Sequence, residues 1–507
     1  MSRQRKIIGD SLVLGTRQVI GLVLVTLQTL FAARYLGPAG FGTFAIISVL
    51  SMMASVGNLG YLAAASRELP HYRATGDAAR EKTTLNHTAI GELGIAVLWT
   101  LVILAVAAFQ DNRDLQVFLA LVALSVVPAK LLAIYQLMAY VDKDFELQSR
   151  ASLIVSAVTA GLVIALVWKF NLYIVLLAPV VASSIGVLAY RHKYRIDLVP
   201  ADLRRDEFLR LAKIGLPMTG LAVVSSNNGL QRWAERTLIA SYAGTAALGI
   251  YAFFSWITMA MYSMFGGVLQ ALQPHVYELL SKELDDTEVG RYLIKPIWTI
   301  IALALLAIGG ASVILPDIIA LLLPEYLPGI PVLNVLLFAT LIGCMYWIPG
   351  IMMSATRFDA QFFYFVAWCI AIAISVCVAV LMLRMDNGIM SLAVAYLVSQ
   401  IILLALTFAR LWRFLFPTAR AFLSLLKELV VPVINVAIAV IVISMIGTRV
   451  IPATTAASDL LLIVAGKAIV FILLSIPTAL ILETKTGIYA THIRPMLSKA
   501  VSNRPGR

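Results

Sequence analysis

The sequence predicts an all-α integral membrane protein with about fourteen transmembrane helices. The 507 residues are 61% hydrophobic and only 13% charged, and the mean hydropathy is +0.92; soluble domains carry about 25% charged residues. Apolar runs of about 20 residues, the length that crosses the hydrocarbon core, recur along the whole chain. These runs are continuous and rich in Leu, Ala and Ile rather than alternating, which favours helices over a membrane β-barrel.

The apolar runs define the predicted spans in chain order. They cover residues 12–34, 43–65, 87–109, 115–140, 151–168, 172–190, 214–240, 247–273, 296–315, 331–354, 361–383, 388–409, 432–446 and 459–481. The first run has a basic start, but it is too long for a cleaved signal peptide and contains Arg17, so we expect it to remain as a helix. The thirteenth run is short and follows an amphipathic stretch at 411–431.

The basic residues predict the orientation of these spans. With a cytoplasmic N-terminus, the inner segments hold 29 of the 39 Lys and Arg residues and the outer segments hold five. Because basic residues accumulate in cytoplasmic loops, this bias places both termini in the cytoplasm of an inner-membrane protein. The net charge of +12 then follows from topology and from contact with membrane lipid, and it requires no nucleic-acid partner.

A short internal repeat predicts two parallel six-helix lobes. Residues 35–45 read YLGPAGFGTFA and residues 242–252 read YAGTAALGIYA, so that Gly37 corresponds to Gly244 and Gly42 to Gly249. Each copy lies in the outer turn between the first two helices of its half, where glycine suits a tight turn. Six helices separate the copies, and this even number gives both halves the same orientation in the membrane.

The repeat also predicts the division of the chain. We expect an N-terminal lobe, a basic cytoplasmic linker, a C-terminal lobe, a cytoplasmic amphipathic connection, two further helices and a basic cytoplasmic tail. These segments cover, in the same order, residues 1–190, 191–213, 214–409, 410–431, 432–481 and 482–507.

Charged and polar side chains inside the spans are the candidate functional residues, because they are costly in lipid. The densest group is NNGLQRWAER at 227–236, on the first helix of the second half. Its net positive charge suits an anion, and arginine binds phosphate through paired hydrogen bonds. On the first helix of the first half, Arg17 and Gln28 share a polar stripe. The candidate substrate-binding residues are Arg17, Gln28, Asn228, Arg232, Glu235 and Arg236.

Structural explanations compete with the binding hypothesis. Arg232 and Arg236 could instead pair with Glu235 and hold helices together, and Arg17 could extend to the cytoplasmic interface. Glu92 and Lys130 lie at similar depths on consecutive helices, which favours a structural ion pair over a proton relay. We expect Lys467, about two turns from the end of its span, to extend to the membrane surface.

One segment of the sequence resembles a known family. The segment ARYLGPAGFGTFAIISVLSMMASVGNLGY at 33–61, and above all RYLGPAGFGTFA at 34–45, is similar to the polysaccharide flippases (Wzx type, for O-antigen or exopolysaccharide) of the multidrug/oligosaccharidyl-lipid/polysaccharide exporter superfamily. The fourteen-span layout and the basic stretch at 191–213 also match. Lipid II flippases of this superfamily have arginine-rich cavities too, but the LGPAGFG turn distinguishes this sequence from them.

This resemblance implies both architecture and activity. It implies a V-shaped pair of lobes, alternating access, and an undecaprenyl-pyrophosphate-linked oligosaccharide that moves from the cytoplasmic to the outer face. The implied partners are this lipid-linked substrate, membrane lipid, a polysaccharide polymerase and a chain-length regulator. No cofactor, metal or catalytic residue is implied. Arg17, Arg232 and Arg236 are carried over only as positions on the matching first helices of the lobes.

Two other classes of function remain open. A multidrug or small-cation exporter of the same superfamily would use acidic cavity residues, for which Glu92 and Glu235 are the candidates. A membrane-embedded glycan polymerase or glycosyltransferase would need carboxylates or metal ligands in an outer loop. The acidic residues of the predicted outer loops are widely scattered, without metal-ligand spacing, so we expect a transporter rather than an enzyme. A channel or scaffold role is the weakest alternative.

Overall fold

The computed structural model describes residues 3–196, 203–225, 229–281, 286–347, 349–350, 353, 358–415, 430–443 and 457–486. Every regular element in these ranges is a helix. A 3₁₀ helix covers Pro324–Gly329. The α-helices are α1 (Arg3–Val56), α2 (Tyr61–Thr75), α3 (Ala78–Ala108), α4 (Arg113–Val141), α5 (Phe145–Arg191), α6 (Arg205–Ser225), α7 (Leu230–Ser281), α8 (Asp286–Leu322), α9 (Ile330–Met345), α10 (Phe358–Arg384), α11 (Met390–Leu415), α12 (Val430–Ile443) and α13 (Ala457–Thr486).

The predicted all-α, multi-pass fold class is confirmed. Ten of the described helices are long and apolar enough to cross a membrane. Three of them contain a non-helical residue that divides them, at Gly37, Asn171 and Gly244. The ten therefore hold all or part of thirteen predicted spans. The remaining span, 432–446, corresponds to the shorter helix α12.

The two glycines of the repeat have the same backbone conformation. Gly37 has φ 63° and ψ 177°, and Gly244 has φ 82° and ψ 177°. Glycine adopts this left-handed region without the steric penalty that a Cβ atom would bring. The duplicated sequence therefore forms equivalent turns, one within α1 and one within α7.

Polar residues at the helix ends explain where several helices start. The side chains of Asp77, Asn112 and Asp144 accept hydrogen bonds from backbone N–H groups in the first turns of α3, α4 and α5, respectively. These caps satisfy donors that have no partner within the helix. At the other end of α2, Gly76 is left-handed at φ 74°.

The chain groups into two compact units, and each contains several helices. One comprises Met1–Ala260 with Trp368–Ala395, and the other comprises Met261–Ala367 with Tyr396–Arg507. In the first unit, α5 packs chiefly against α1 and α4, and Ala33, Ala45 and Ala160 are fully buried. Small residues let membrane helices approach closely. The division into six-helix lobes remains a prediction.

Small residues also support packing in the second unit, where α8 lies against α9 and α13. A Cβ atom at Gly309 would lie 2.5 Å from Val436 on α12, and one at Gly310 would lie 3.2 Å from Phe471 on α13. Glycine at these two positions therefore allows α12 and α13 to pack closely against α8.

Large apolar side chains cover the outward surface of the helices. Leu98, Leu101, Ile472 and Leu480 are each about 60% exposed within the protein. Exposed apolar area on this scale needs a nonpolar environment, and the hydrocarbon core of a bilayer provides one.

The second predicted span, 43–65, is not a continuous helix, and this prediction was wrong. Helix α1 ends at Val56 and α2 begins at Tyr61. Between them, Gly60 has φ 80° and its N–H group donates to Asn58 Oδ1 at 2.8 Å. This interruption brings α2 against α6: a Cβ atom at Gly215 would lie only 1.9 Å from the carbonyl oxygen of Gly60.

Candidate functional site

The candidate site is built on the first two turns of α7. The helix begins at Leu230, directly after a bend at Gly229. Arg232, Glu235 and Arg236 follow at helical spacing and are each 5% exposed or less. Three ionisable side chains at this degree of burial must have polar partners, because water does not reach them.

Arg232 and Glu235 form a buried ion pair that Tyr251 completes. Arg232 Nη1 lies 2.8 Å from Glu235 Oε2. The Tyr251 hydroxyl donates to the same carboxylate oxygen at 2.8 Å and accepts from Arg232 Nη1 at 3.2 Å. Tyr251 lies after the turn at Gly244, whereas Arg232 and Glu235 lie before it. The three side chains therefore join the two segments of α7 on either side of this turn. The charge of Arg232 is therefore locally balanced, as the structural interpretation expects.

Arg236 has a different environment. Its Nη1 atom donates to Ser48 Oγ at 2.7 Å, to the Ala45 carbonyl at 3.4 Å and to Met52 Sδ at 3.1 Å, all on α1. Its guanidinium lies 5.7 Å from the ring centroid of Trp256. Among the described residues, no carboxylate lies within ion-pair distance of Arg236. The cluster thus retains one positive charge, held by neutral acceptors and an aromatic face.

The site lies beside a contact between the two repeat turns. A Cβ atom at Gly42 would lie 1.8 Å from the carbonyl oxygen of Thr245, and one at Gly249 would lie 1.8 Å from that of Pro38. Pro38 and Thr245 correspond in the repeat, as do Gly42 and Gly249, so the same contact occurs twice with its partners exchanged. Such reciprocity characterises a two-fold relation.

Aromatic side chains surround this glycine contact. The ring centroids of Phe41 and Phe253 are 6.0 Å apart, and Trp256 lies 5.1 Å from both Phe41 and Phe44. Edge-to-face pairs at these distances add to the stabilisation that burial gives. The segment of α1 that follows Gly37 and the corresponding part of α7 are therefore closely packed.

The structure places the predicted site residues unequally. Arg232, Glu235 and Arg236 come together on α7. Gln28 lies half-buried on α1. Arg17 belongs to α1, but its side chain lies outside the described residues, and Asn228 lies outside them altogether.

Sequence reasoning missed three neighbours of the arginines: Ser48, Tyr251 and Trp256. Ser48 shares a polar face of the second predicted span with Ser55, two helical turns away, and this face could have indicated Ser48 from the sequence. Tyr251 occupies a position of the repeat that a Phe, Phe44, occupies in the first copy. The extra hydroxyl of the second copy could have indicated a polar partner nearby.

Glu92, Lys130 and Lys467, three further charges of the predicted spans, each lie in an ion pair. Lys130 Nζ lies 3.0 Å from Glu92 Oε2, with both side chains buried, which confirms the predicted ion pair. The Lys467 ammonium lies 2.6 Å from Asp317 Oδ2, and its extension to the membrane surface stays a prediction. Asp317 lies just beyond the predicted span 296–315, whereas α8 continues to Leu322 and carries it.

Comparison with solved structures identifies the fold. The chain is similar to the lipid II flippase MurJ in an inward closed conformation, with a TM-score of 0.66, 14% identity, and coverage of 92% of this chain and 98% of that one. A multidrug resistance MATE family transporter of the MOP superfamily matches with a TM-score of 0.58, 13% identity, and coverage of 81% and 96%. A MOP superfamily transporter from Pyrococcus furiosus matches with a TM-score of 0.56, 13% identity, and coverage of 80% and 96%.

Sequence comparison identifies the family. No curated protein matches this chain significantly. A family model described as "Polysaccharide biosynthesis protein" matches residues 7–280, which is more than half of the chain and includes the repeat turns and the arginine cluster. This protein is therefore a member of the polysaccharide biosynthesis protein family, and it has the fold of MOP superfamily transporters.

Proposed function

We propose that this protein is a flippase that moves undecaprenyl-pyrophosphate-linked oligosaccharide repeat units from the cytoplasmic to the outer face of the inner membrane. It acts by alternating access and supplies surface polysaccharide synthesis, where a polymerase and a chain-length regulator are its partners. Membership of the polysaccharide biosynthesis family and the fold shared with a lipid II flippase support this proposal. The observation that carries it is the buried charge of Arg236.

Arg236 suits the cargo because of what surrounds it. Its guanidinium is bound by a hydroxyl, a carbonyl and a thioether rather than by a carboxylate. These neutral ligands, all on α1, satisfy the donors while α1 and α7 are packed together. When the two helices separate, the same donors become available to an anion, and the pyrophosphate of the cargo accepts paired hydrogen bonds from a guanidinium.

The two candidate carboxylates favour this function over export of small cations. Glu92 is bound to Lys130, and Glu235 is bound to Arg232 and Tyr251. A cationic drug would have to displace a resident cation from either group. Arg232, Glu235, Gln28, Asn228 and Arg17 belong to the proposed cargo path, and Arg236 is its principal anion ligand.

Replacement of Arg236 tests the proposal. In cells that depend on this protein for surface polysaccharide, R236Q should abolish the polymer while protein remains in the membrane, and R236K should restore part of it. The lysine keeps the charge but loses the paired geometry. Surface polymer should be normalised to folded protein, measured by fluorescence-detected size-exclusion chromatography.

Arg150 provides a matched control, since it lies on α5 with an exposed side chain. R150Q should leave polymer and protein unchanged. Normal polymer per folded protein in R236Q would contradict the proposal. Drug resistance conferred by the protein, without an effect on polymer, would favour the exporter instead.

A further inference from the structure

The interruption between α1 and α2 leaves backbone groups that need partners. The last carbonyl groups of a helix and its first N–H groups have no partner within the helix. Inside a membrane span each unsatisfied group is costly. The interruption at 57–60 directly follows the candidate membrane span Ile20–Ser55, and Glu92 and Lys130 beside it are buried, so other parts of the chain must supply these partners.

Two charged side chains supply them. At the carboxyl end of α1, Lys130 Nζ donates to the Ser55 carbonyl at 3.2 Å. At the amino end of α2, the N–H group of Leu62 donates to Glu92 Oε1 at 3.2 Å. The two side chains also form an ion pair with each other, in which Lys130 Nζ lies 3.0 Å from Glu92 Oε2. Nearby, Trp99 Nε1 donates to the Gly57 carbonyl at 2.7 Å.

The direction of the pair matches the two helix ends. The carboxyl end of a helix carries partial negative charge and the amino end partial positive charge. Lys130 lies at the former and Glu92 at the latter. If the pair only joined α3 to α4, it would be equally stable with the two charges exchanged. Here, exchange would place each charge beside a helix end of like sign.

The second half of the chain has neither the interruption nor the pair. The positions that correspond to 57–60 are 264–267, and α7 continues through them. Residues 297–316 of α8 and 330–345 of α9 contain no acidic or basic side chain. The interruption and the charges therefore occur together in the first half, and both are missing at the equivalent described positions of the second half.

The interruption also determines how α2 meets α6. Gly60 and Gly215 are in backbone contact, and the Thr219 hydroxyl donates to Asn58 Oδ1 at 3.3 Å. Beyond them, Arg210 on α6 lies 2.7 Å from Glu68 on α2. A change at the interruption would therefore move α2 against α6.

We propose that the interruption is a cation-binding site whose cation is the Lys130 ammonium group. Interrupted helices in transporters bind alkali cations at the carboxyl ends of their half-helices and at unwound carbonyls. Here a tethered ammonium occupies such a position, between the Ser55 carbonyl and the Glu92 carboxylate. Glu92 in turn holds the amino end of α2, so the pair fixes α2 on α6. This inference does not depend on the identity of the cargo.

Thermal unfolding of the purified full-length protein in detergent tests the cation site. K130A should lower the Tm and leave room for a small cation beside Glu92. Methylammonium chloride should then raise the Tm of K130A more than choline chloride does. K130M, which removes the charge but fills the space, should lower the Tm without responding to methylammonium, and the unsubstituted protein should not respond. A K130A protein with unchanged Tm, or without a methylammonium response, would overturn the site.

A charge exchange tests the direction of the pair. The double variant E92K/K130E should remain as unstable as the single variants, because each charge then faces the helix end of like sign. Asp317 and Lys467 form a matched control, since their partly buried pair joins α8 to α13 within helix interiors. D317K/K467D should recover stability relative to its single variants. Equal recovery at both pairs would show that Glu92 and Lys130 are an ordinary ion pair.

The contact at the amino end of α2 has its own test. E92Q retains an oxygen for the Leu62 N–H group, whereas E92L does not, so E92Q should lose less of the Tm than E92L. Equal losses would show that this hydrogen bond does not support α2. This comparison uses small changes at position 92, so it remains informative if K130A does not fold.

Discussion

At the scale of single residues, the two arginines of α7 are chemically distinct although they are four positions apart. Arg232 is matched by Glu235 and Tyr251, whereas Arg236 is bound by neutral groups of α1. Spacing along a helix predicts a shared face, but not which residue has a counter-ion. This difference decides which arginine is available to an anion.

The Arg232–Glu235 pair predicts a specific pattern of stability. E235Q and R232Q should each reduce the amount of folded protein, because removing one partner of a buried pair costs about 3–5 kcal/mol. The double variant R232Q/E235Q should recover folded protein. Y251F should have a smaller effect, about 1 kcal/mol for one hydrogen bond. Fluorescence-detected size-exclusion chromatography of solubilised membranes measures all four.

Two outcomes would change the assignment of Arg232. A double variant as poorly folded as the single variants would show that the pair is not the main role of these side chains. Normal amounts of inactive R232Q protein would instead place Arg232 with Arg236 among the cargo ligands.

At the scale of elements, the glycines of the repeat serve two purposes. Gly37 and Gly244 provide the left-handed conformation of each turn. Gly42 and Gly249 provide close approach, since a Cβ atom at either would overlap a carbonyl oxygen of the other turn. Only the first purpose is evident from the sequence, because a close approach depends on a distant partner.

The close approach predicts that G42A and G249A separate α1 from α7 at their turns. Each added methyl group would lie 1.8 Å from a backbone oxygen, and backbone can move away only with its helix. Both variants should therefore lose surface polymer or folded protein. G94A and G161A are the controls, because nothing lies within 4 Å of a Cβ atom at these helical positions; they should be neutral or stabilising by up to about 1 kcal/mol. Fully active G42A would refute the contact.

At the scale of the whole molecule, the distribution of basic residues predicts one orientation in the membrane. Reporter fusions after Arg113, Arg384 and Arg449 should report an outer location, and a fusion after Arg205 should report a cytoplasmic one. The physical reason is the retention of basic loops in the cytoplasm. Consistent reversal of all four fusions would invert the topology and, with it, the proposed direction of transport.

Much of this architecture could be predicted because it depends on local composition. Apolar runs located the spans, and the duplicated motif located both turn glycines. The interruption at 57–60 could not be predicted, because side chains of α3 and α4 stabilise it from distant parts of the sequence. The Lys467–Asp317 pair was missed for the same reason: its partners are 150 residues apart, and one lies in a helix that extends beyond its apolar run. The candidate site was found by its charge, but the partners of each charge required the fold.

The exchanged contacts of Gly42 and Gly249 have a consequence for the ancestry of this protein. A half-length chain with six spans would insert with a single orientation, and two copies could meet through the same glycine on an exact symmetry axis. Fusion of two such copies retains the contact but frees each half to diverge. Glu92 and Lys130, found in one half only, would be divergence of this kind. An ancestral homodimer would therefore have lacked the asymmetry that now distinguishes the two halves of the chain.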